Sequence, residues 1–566
     1  MSVQEFRLNH TLIATLLVCW LVVLIKLGLP ELLPYSEAVT AFRAEAIVQK
    51  HEIFDQTNSS PSGITSSAKP PLTSQLVALS MYIFGESNFE LRLPFALLSL
   101  GVLLMVYQLT KHYIPRKFSL FAPVILAGTA FFGYAARTIE PTIPSILLLL
   151  FVVWIVIEIE KKQYNLWALL TLLAVVFACI VLNDVFAVFI ALAIVLPFVL
   201  KNSVPRLKLL ASIGLGVLIG GSWIVMMVTK YGFPMLQSYI GVGIFPTSFI
   251  QKVQNLYTIV LSDAPVVLLG LYVVFQNISQ LRQSTFSVKK EEQTLQFSLL
   301  FWFFTALGIN LFTPTFASSS AVMLLIPLVL MAISSIHNVY VAKRKSIPLL
   351  TLLLFVLLQS FWNITNYFVE PYYPMSHFAT YGSIALFLVA IVLSYVLLKV
   401  KSQLISFRLI HWIFIVMPVL FVGKQFLTNA RISANDLDGA TSVGMFFQQG
   451  CELPFIYLYH QEHTFSYDSP QLAWYSRTSI PKFIARKTYT PLFLSSSVLD
   501  KEAIDALLKP EFYDKPIVYH FLNKAPIQPT LVQELSRYRD ILTQKPNYIV
   551  FGGVDKMKLL FENKDK

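Results

Sequence analysis

Charged residues are scarce in this chain. Asp, Glu, Lys and Arg together make up 13% of its 566 residues, while hydrophobic residues make up 56%. Such a composition excludes an ordinary soluble fold and indicates a membrane protein. Cysteine is scarcer still, with three residues. Cys19 and Cys179 fall in apolar segments and only Cys451 lies outside them, which excludes a disulfide framework.

Other features are missing as well. No cluster of His or Cys has the spacing of metal ligands, so no metal site and no cofactor are predicted. No internal repeat and no matched pair of glycine-broken segments is visible, and the apolar segments carry almost no ionisable residue at mid-span. Secondary transporters usually have both features, so these absences disfavour transport. The first apolar run lacks a cleavage site of small residues, which predicts a retained helix.

Apolar runs long enough to cross a bilayer recur along the chain, about thirteen in all. They lie at roughly 8–29, 91–113, 118–136, 142–160, 165–182, 185–200, 207–229, 264–281, 296–313, 319–340, 347–363, 377–398 and 408–424. Alternate loops between them hold most of the Lys and Arg, which accounts for the net charge of +12 without a nucleic-acid partner. The positive-inside rule then places the N-terminus in the cytoplasm, and the odd number of spans places the C-terminal tail outside.

The composition changes after Lys424. Short apolar runs follow at Pro454–Tyr459, Ile517–Phe521 and Tyr548–Phe551, with helical stretches at Lys501–Leu508 and Thr530–Thr543. This alternation predicts a small α/β domain. The chain is therefore predicted to be a polytopic α-helical membrane protein with a C-terminal exoplasmic α/β domain. Residues 1–429 form the membrane domain, whose exoplasmic loop 30–90 carries surface helices, and residues 430–566 form the soluble domain.

The segment Ser36–Pro71 is the richest in charge among the internal loops. Its residues 36–50 place apolar side chains such as Phe42 and Ala46 on one side of a helix, which predicts a helix lying along the bilayer surface. Lys69 stands directly before Pro70 and Pro71. Because prolines stiffen and extend the backbone, the amine of this lysine is well placed to be aimed at a ligand.

Two acids adjoin membrane helices at this face. Glu37 opens the surface helix, and Glu140 lies in the turn AARTIEPTIP between two spans. Partial desolvation raises the proton affinity of a carboxylate, so both are candidate catalytic bases. Structural explanations compete, since Glu37 suits a first helical turn and Glu140 can pair with Arg137. Four bases are candidate ligands of a phosphate: Lys69, Arg137, Arg43 and Lys230. For Arg43 and Lys230, the alternative is contact with lipid headgroups.

Several motifs occur in one order between residues 8 and 240. They are Tyr35-Ser36-Glu37-Ala38, Lys69-Pro70-Pro71-Leu72, Phe84-Gly85, Leu91-Arg92-Leu93-Pro94 and Ala136-Arg137-x-x-Glu140. This order resembles the GT-C class of integral-membrane glycosyltransferases, above all the branch of the protein O-mannosyltransferases and the lipid A aminoarabinose transferases. The chain departs from that pattern at several places. Ser36 replaces an Asp, Glu140 replaces a second Asp, and Asn183-Asp184 replaces a lysine-bearing turn. An arginine expected near Val39 is absent, with Arg43 as its substitute, and a basic stretch is missing from Thr313–Met323.

The resemblance implies a metal-independent glycosyltransferase of the cell inner (plasma) membrane, with its C-terminal domain periplasmic or extracellular. Outward-facing acids favour a polyprenyl-phosphate-linked sugar as the donor, because nucleotide sugars have no route through hydrocarbon. The acceptor would be lipid A, a lipid-linked glycan or a protein, and direct attack would invert the anomeric carbon. Glu37 or Glu140 would be the base, and Lys69 with Arg137 or Arg43 would neutralise the phosphate. Two alternatives stay open: a transporter or flippase of lipid-linked sugars, and an inactive scaffold homologue.

Overall fold

The computed structural model describes most of the first 342 residues and part of the remainder. The described ranges are 3–30, 32, 37–55, 70–112, 114–162, 164–201, 205–233, 290–312 and 321–342, five strands between residues 456 and 554, and isolated residues elsewhere. Ser36, Lys69 and Cys451 lie outside them, as do the predicted helix Lys501–Leu508 and most of the spans predicted at 264–281 and after residue 342.

The described part of residues 3–342 is helical. Its helices are α1 Val3–Leu24, α2 Glu37–Lys50, α3 Leu72–Phe84, α4 Asn88–Lys111, α5 Arg116–Ser119, α6 Phe121–Ala127, α7 Ala130–Ala135, α8 Thr142–Lys161, α9 Leu166–Asn183, α10 Val185–Leu200, α11 Arg206–Tyr231, α12 Lys290–Phe312 and α13 Ala321–Ala342. Within the described ranges, five helical segments are long and apolar enough to cross a membrane, in α4, α8, α9, α11 and α12. The prediction of a polytopic helical membrane protein is confirmed, whereas the count of about thirteen spans stays a prediction.

One predicted span is not a single helix. Residues 118–136 do not form a continuous helix but are divided among α5, α6 and α7. Helix α6 ends at Gly128, and Thr129 adopts an extended conformation before α7 begins. The Leu126 carbonyl accepts both the Thr129 N–H at 3.0 Å and the Thr129 hydroxyl at 2.7 Å, so the side chain of Thr129 reinforces the backbone bond at the break. The interruption turns the chain before the segment that carries Glu140.

Helix α4 begins with a capping box and contains a proline in its second turn. Ser87 and Glu90 satisfy each other's backbone groups at the N-terminus, which explains why the helix begins there. Pro94 has no N–H and therefore cannot bond to the Glu90 carbonyl one turn earlier. The Ser80 hydroxyl of α3 donates to that carbonyl at 2.6 Å instead. The bond joins α3 to α4 at the point where proline weakens the helix.

Helices α9 and α11 pack closely along a stripe of small residues. A Cβ on Gly216 would lie 2.8 Å from the Phe177 Cβ, and one on Gly220 would lie 2.7 Å from the Val181 Cβ. The Ser212 hydroxyl, one turn before Gly216, donates to the Leu170 carbonyl. Small residues at this spacing let helix backbones approach within a membrane, where dispersion contacts drive association.

Helix α2 has the predicted bounds but not the predicted burial. It spans Glu37–Lys50, and its first two turns are buried on all sides, polar residues included. The expected amphipathic pattern, with one apolar face buried, is therefore wrong for this half. A satellite core surrounds it, formed by residues of α2, α3, the start of α4 and the turn before α8: Leu32, Ala38, Ala41, Phe42, Ala44, Val77, Ala78, Met81, Leu91, Phe95 and Ile139.

The bundle has two distinguishable ends. Side-chain bonds join α2, the starts of α3, α4 and α8, and the α9–α10 junction at one end, which we call the site end. The opposite end, which we call the basic end, holds His112, Glu158, Glu160, Lys161 and Lys201. The predicted alternation of basic loops is thus present in this part of the bundle.

The described C-terminal residues form one five-stranded mixed sheet. Its strands are β1 Ile456–His460, β2 Leu492–Leu494, β3 Ile517–Phe521, β4 Arg539–Lys545 and β5 Tyr548–Val554, in the order β2-β1-β3-β5-β4. Strand β1 is parallel to β2 and β3, and β5 is antiparallel to β3 and β4. The helix predicted over 530–543 is wrong for its last five residues, because pairing with β5 makes them a strand. The α/β domain as a whole stays a prediction.

Candidate active site at the site end

Glu37 lies at the centre of the site end. It is the first residue of α2, and its carboxylate is completely buried. Arg92 donates from Nε to Oε1 at 3.0 Å and from Nη2 to Oε2 at 2.5 Å. The backbone N–H of Ile139 adds a third bond, to Oε1 at 2.8 Å. Three donors, two of them charged, hold this carboxylate in one position.

Arg92 also connects the α1–α2 segment to α4. Its Nη1 donates to the carbonyls of Leu27 and Pro30, at 3.1 and 2.7 Å. The sequence motif Leu91-Arg92-Leu93-Pro94 contains this residue, but sequence reasoning assigned it no role. A signal was available, because an arginine in the second turn of a membrane helix needs a partner for its charge. The carboxylate that meets this need is Glu37.

Glu140 lies beside Glu37 in the folded chain. The bond from the Ile139 N–H to Glu37 anchors the residue directly before Glu140. The turn is also fixed from within, since the Glu140 N–H donates to the Thr138 carbonyl at 3.0 Å. The Glu140 side chain is half-buried, unlike that of Glu37. The structure therefore brings the two predicted acids together and leaves Glu140 as the more accessible one.

Tyr134 is a neighbour of both acids that the sequence did not indicate. It lies in the last turn of α7, and its carbonyl accepts the Thr138 hydroxyl at 3.2 Å. Its side chain is 38% exposed, and the charges of Glu140 and Glu37 both act on its hydroxyl. A phenol in this place adds a hydrogen-bonding group to the wall beside the two carboxylates.

Arg137 is placed against the end of α1. Its Nη1 donates to the carbonyls of Val23 and Ile25, at 2.8 and 2.5 Å, and its Nη2 donates to the Lys26 carbonyl at 3.0 Å. A guanidinium at a helix C-terminus is favourable because the last carbonyls of a helix lack partners. Burial, with a smaller contribution from Arg92, lowers the pKa of Arg137 to about 10. It stays charged at neutral pH, and its predicted contact with a phosphate stays a prediction.

Two further predicted phosphate ligands are described, and they differ in placement. Arg43 is buried in the second turn of α2, and burial lowers its pKa to about 10, so its positive charge lies in the interior of the site end. Lys230 is exposed at the end of α11 and forms an ion pair with Asp55. The Tyr231 hydroxyl donates to the same carboxylate at 2.6 Å. The structure therefore gives Lys230 a carboxylate partner on the segment that follows α2.

The start of α3 and the turn after Glu140 are joined by one side chain, Asn183. The Thr73 hydroxyl donates to Asn183 Oδ1 at 2.9 Å. Asn183 Nδ2 donates to the Pro141 carbonyl and to the Ser145 hydroxyl, both at 2.7 Å. Asn183 is buried, as are Thr73 and Ser145. Sequence reasoning noted Asn183 only as a departure from a family pattern.

Asp184 follows Asn183 and caps α10. Its carboxylate accepts the Phe186 N–H at 2.9 Å, which satisfies one of the unpaired donors at the helix start. Burial raises the pKa of Asp184 to about 6, although its bonds to the backbone act in the opposite direction. Among the residues that the structure describes, no group of three His, Cys, Asp or Glu side chains is placed to hold a metal ion.

Sequence comparison finds relatives over part of this region. Residues 68–230 match the family described as dolichyl-phosphate-mannose-protein mannosyltransferase. A curated protein of Bacillus subtilis (strain 168), YkcB, which is named for a mannosyltransferase activity, is 27% identical over 135 residues. That match covers 24% of this chain and 18% of YkcB. The family match includes Lys69, Arg137, Glu140 and Lys230 and begins after Glu37 and Arg43.

Structure comparison extends the likeness to nearly the whole chain. The crystal structure of ArnT from Cupriavidus metallidurans in the apo state has a TM-score of 0.62 and 13% identity, covering 97% of this chain and 98% of ArnT. The same protein bound to undecaprenyl phosphate also has a TM-score of 0.62 and 13% identity, covering 98% and 99%. The arabinosyltransferase EmbB from Mycobacterium smegmatis has a TM-score of 0.50 and 14% identity, covering 79% of this chain and 43% of EmbB.

These comparisons bear on the resemblance that the motifs predicted. At such low identity the solved structures show that this chain and ArnT share a fold, and they do not show a shared activity. Together with the family match, they confirm the resemblance to the branch of the protein O-mannosyltransferases and aminoarabinose transferases. The roles of the individual site residues stay predictions.

Proposed function

We propose that this chain is a membrane glycosyltransferase that moves a sugar from a polyprenyl-phosphate donor to an envelope acceptor, with inversion at the anomeric carbon. The observation that carries the proposal is the bond from the Ile139 N–H to Glu37, because it brings the turn with Glu140 beside the buried acid of α2. A protein of the same fold, ArnT, has been solved bound to undecaprenyl phosphate, which supports a donor of this class.

Glu140 is the base in this proposal. Glu140 is partly exposed as a residue, although its Oε2 atom is buried, whereas Glu37 is completely buried and its carboxylate is enclosed by Arg92 and Ile139. A base must reach the proton that it removes, so geometry favours Glu140 over Glu37. Glu37 then acts as an anchor that holds the Glu140 turn and offsets the charge of Arg92.

The reaction is a single displacement. The acceptor hydroxyl loses its proton to the Glu140 carboxylate as its oxygen bonds to the anomeric carbon. The bond from that carbon to the phosphate oxygen breaks, and its electron pair stays on the polyprenyl phosphate. Lys69, which directly precedes the buried Pro70 and Pro71, neutralises the phosphate as its charge grows. In a site sheltered from water, such charge stabilisation is the larger part of catalysis.

The site end faces the exoplasm in this proposal. The basic end carries Lys161, Lys201 and Arg206, and the positive-inside rule assigns such residues to the cytoplasm. A donor that reaches the other face must be carried by a lipid, which agrees with a polyprenyl phosphate. The acceptor is a lipid or a protein of the envelope.

The test uses the full chain in lipid nanodiscs. Synthetic undecaprenyl phosphates that carry mannose or aminoarabinose serve as donors, and an envelope extract serves as the pool of acceptors. Mass spectrometry follows the undecaprenyl phosphate released and the mass that the acceptor gains. We expect Glu140→Gln to lower turnover by about 10²–10⁴-fold, the usual contribution of a general base.

A matched control is available at the basic end. Glu160 is a half-buried carboxylate that pairs with Lys201, and Glu160→Gln is expected to leave turnover unchanged. Full activity of both Glu140→Gln and Lys69→Ala would contradict the proposed mechanism and favour a scaffold. Passage of the donor across the bilayer without release of undecaprenyl phosphate would favour a flippase.

A further inference from the structure

Asn183 makes contacts that neither the fold nor the proposed chemistry explains. It is the last residue of α9, 2% exposed, and its amide bonds three groups from two other parts of the chain. Asn side chains in membrane helices can bond across helices, and they can also bond within their own helix, as Asn310 does with the Ala306 carbonyl. The bonds of Asn183 run instead to α3 and to the start of α8.

The two segments that Asn183 joins are those that carry the proposed chemistry. Thr73 follows the Lys69-Pro70-Pro71 motif by two residues, and Pro141 directly follows Glu140. One side chain of fixed shape therefore sets the distance between the start of α3 and the turn that holds the base. Each contact is short, at 2.9 Å to Thr73 and 2.7 Å to Pro141 and Ser145.

The Pro141 carbonyl has a further partner. It accepts the Ser145 N–H at 3.0 Å, as expected in the first turn of α8, and also the Nδ2 of Asn183. On the other side of Glu140, the Ile139 N–H is held by Glu37. Backbone groups are thus tied down immediately before and immediately after Glu140, by one side chain each.

We infer that Asn183 is a positioning residue, which holds the Glu140 turn at a set distance from the start of α3. This inference rests on the proposed function, since it gives Asn183 an effect on the rate through Glu140. Catalytic steps depend steeply on placement, and a displacement near 1 Å costs about 100-fold in rate. Loss of the amide is therefore expected to lower kcat more than it raises KM for the donor.

The first measurement does not depend on activity. Hydrogen–deuterium exchange of the full chain in nanodiscs compares the wild type with Asn183→Leu over residues 138–145. We call the bonds from Asn183 to Thr73, Pro141 and Ser145 the clamp. Loss of the clamp should speed exchange over 138–145 and leave exchange over 102–110 of α4 unchanged. Unchanged exchange at 138–145 would overturn the inference whatever the enzyme does.

The second measurement is a double-mutant cycle, with turnover of undecaprenyl phosphoryl-mannose or -aminoarabinose as its readout. Asn183→Leu is expected to lower kcat by about 100-fold in the wild type and by much less in a Glu140→Asp background, because that base is already displaced. An equal loss in both backgrounds shows that Asn183 acts independently of Glu140 and overturns the inference.

A milder variant covers the case in which Asn183→Leu does not fold. Thr73→Val removes one bond of the clamp and leaves the other two, and Thr110→Val removes a buried hydroxyl that bonds backbone carbonyls near the basic end. Only Thr73→Val is expected to lower kcat and to speed exchange at 138–145. Equal behaviour of the two valine variants counts against the clamp. If wild-type turnover is absent for both donors, the proposed function fails, whereas the exchange data still decide whether the clamp exists.

Discussion

The two ends of the helical bundle use charged residues in different ways. At the site end, Glu37 and Arg92 are both buried, and they come from α2 and α4, separated by 55 residues. At the basic end, the Lys201 ammonium bonds Glu160 at 2.6 Å while remaining partly exposed, and Arg206 is exposed and donates to carbonyls of the preceding helix. Burial makes a charge depend on its partner. Both members of the Glu37–Arg92 pair are buried, whereas the basic members of the pairs at the basic end, His112 and Lys201, are partly exposed, so the pair at the site end is held more firmly.

The largest loss of stability is expected when the buried Glu37–Arg92 pair is broken. Arg92→Met would leave the Glu37 carboxylate buried without its main partner, which costs about 3–5 kcal/mol in the free energy of unfolding. Lys201→Met at the basic end should cost less, since the Lys201 side chain is 27% exposed and solvent reaches the pair from that side. Thermal unfolding of both variants in one detergent makes the comparison. Similar losses for the two would show that the ends do not differ in this respect.

A second test compares two positions on α11. Gly216→Leu would force a side chain against Phe177 of α9, whereas a Cβ on Gly214 meets nothing within 4 Å. Overpacking of this kind costs about 1–3 kcal/mol, so Gly216→Leu should lower the Tm while Gly214→Leu should not. Both changes raise helix propensity equally, so a difference between them reports packing alone. An unchanged Tm for Gly216→Leu would contradict the close contact with α9.

The pH dependence of stability distinguishes Asp184 from the other acids of the site end. Its pKa is raised to about 6 in the folded chain, mainly by burial, so the folded state binds more protons than the unfolded state between about pH 4 and pH 6. The free energy of unfolding should therefore fall as the pH rises through this range, and the fall should end above pH 6. Asp184→Asn keeps the helix cap and should remove this fall, which is on the order of 1 kcal/mol.

Unfolding followed at pH 4.5 and at pH 7 measures the difference. The wild type should lose stability between the two values relative to Asp184→Asn. Parallel behaviour of wild type and variant would show that the carboxyl titrates at its ordinary pKa.

The smallest change in stability is expected at the exposed ion pair between Asp55 and Lys230. Asp55→Asn weakens the contact with Lys230 and Tyr231, but Trp223 still donates to the Phe54 carbonyl at 2.9 Å. We expect no measurable change in Tm and faster hydrogen exchange limited to residues 51–55. A clear fall in Tm would show that this exposed ion pair matters as much as the buried one.

Much of the helical framework is predictable, because a membrane span needs only a long apolar run. The predicted spans 142–160 and 165–182 agree with α8 and α9 within one or two residues. The break at Gly128 is not predictable from hydropathy, because both sides of it are apolar. Strand β4 was missed for a related reason, since its pairing with β5 overrides a local pattern typical of a helix.

Some features of the candidate site could be predicted from the sequence, and others could not. The motifs pointed to Glu37 and Glu140 as a pair, and the structure places them side by side. They did not indicate that Glu37 would be enclosed by Arg92, nor that Asn183 would join two segments of the site. A sequence shows that a charged group or an amide is present. Its hydrogen-bond partner cannot be identified from the sequence, because folding brings together groups that are far apart in the chain.

The sequence by itself determined that this chain lies in a membrane, where several of the described helices begin and end, and which family its motifs resemble. These properties depend on hydrophobicity and short patterns, which are local. The tertiary structure decided which acid is fully enclosed and which is partly exposed, and what holds the turn of the partly exposed acid in place. Those properties depend on burial and on hydrogen bonds between residues far apart in the chain, such as Glu37 with Ile139 and Asn183 with Thr73.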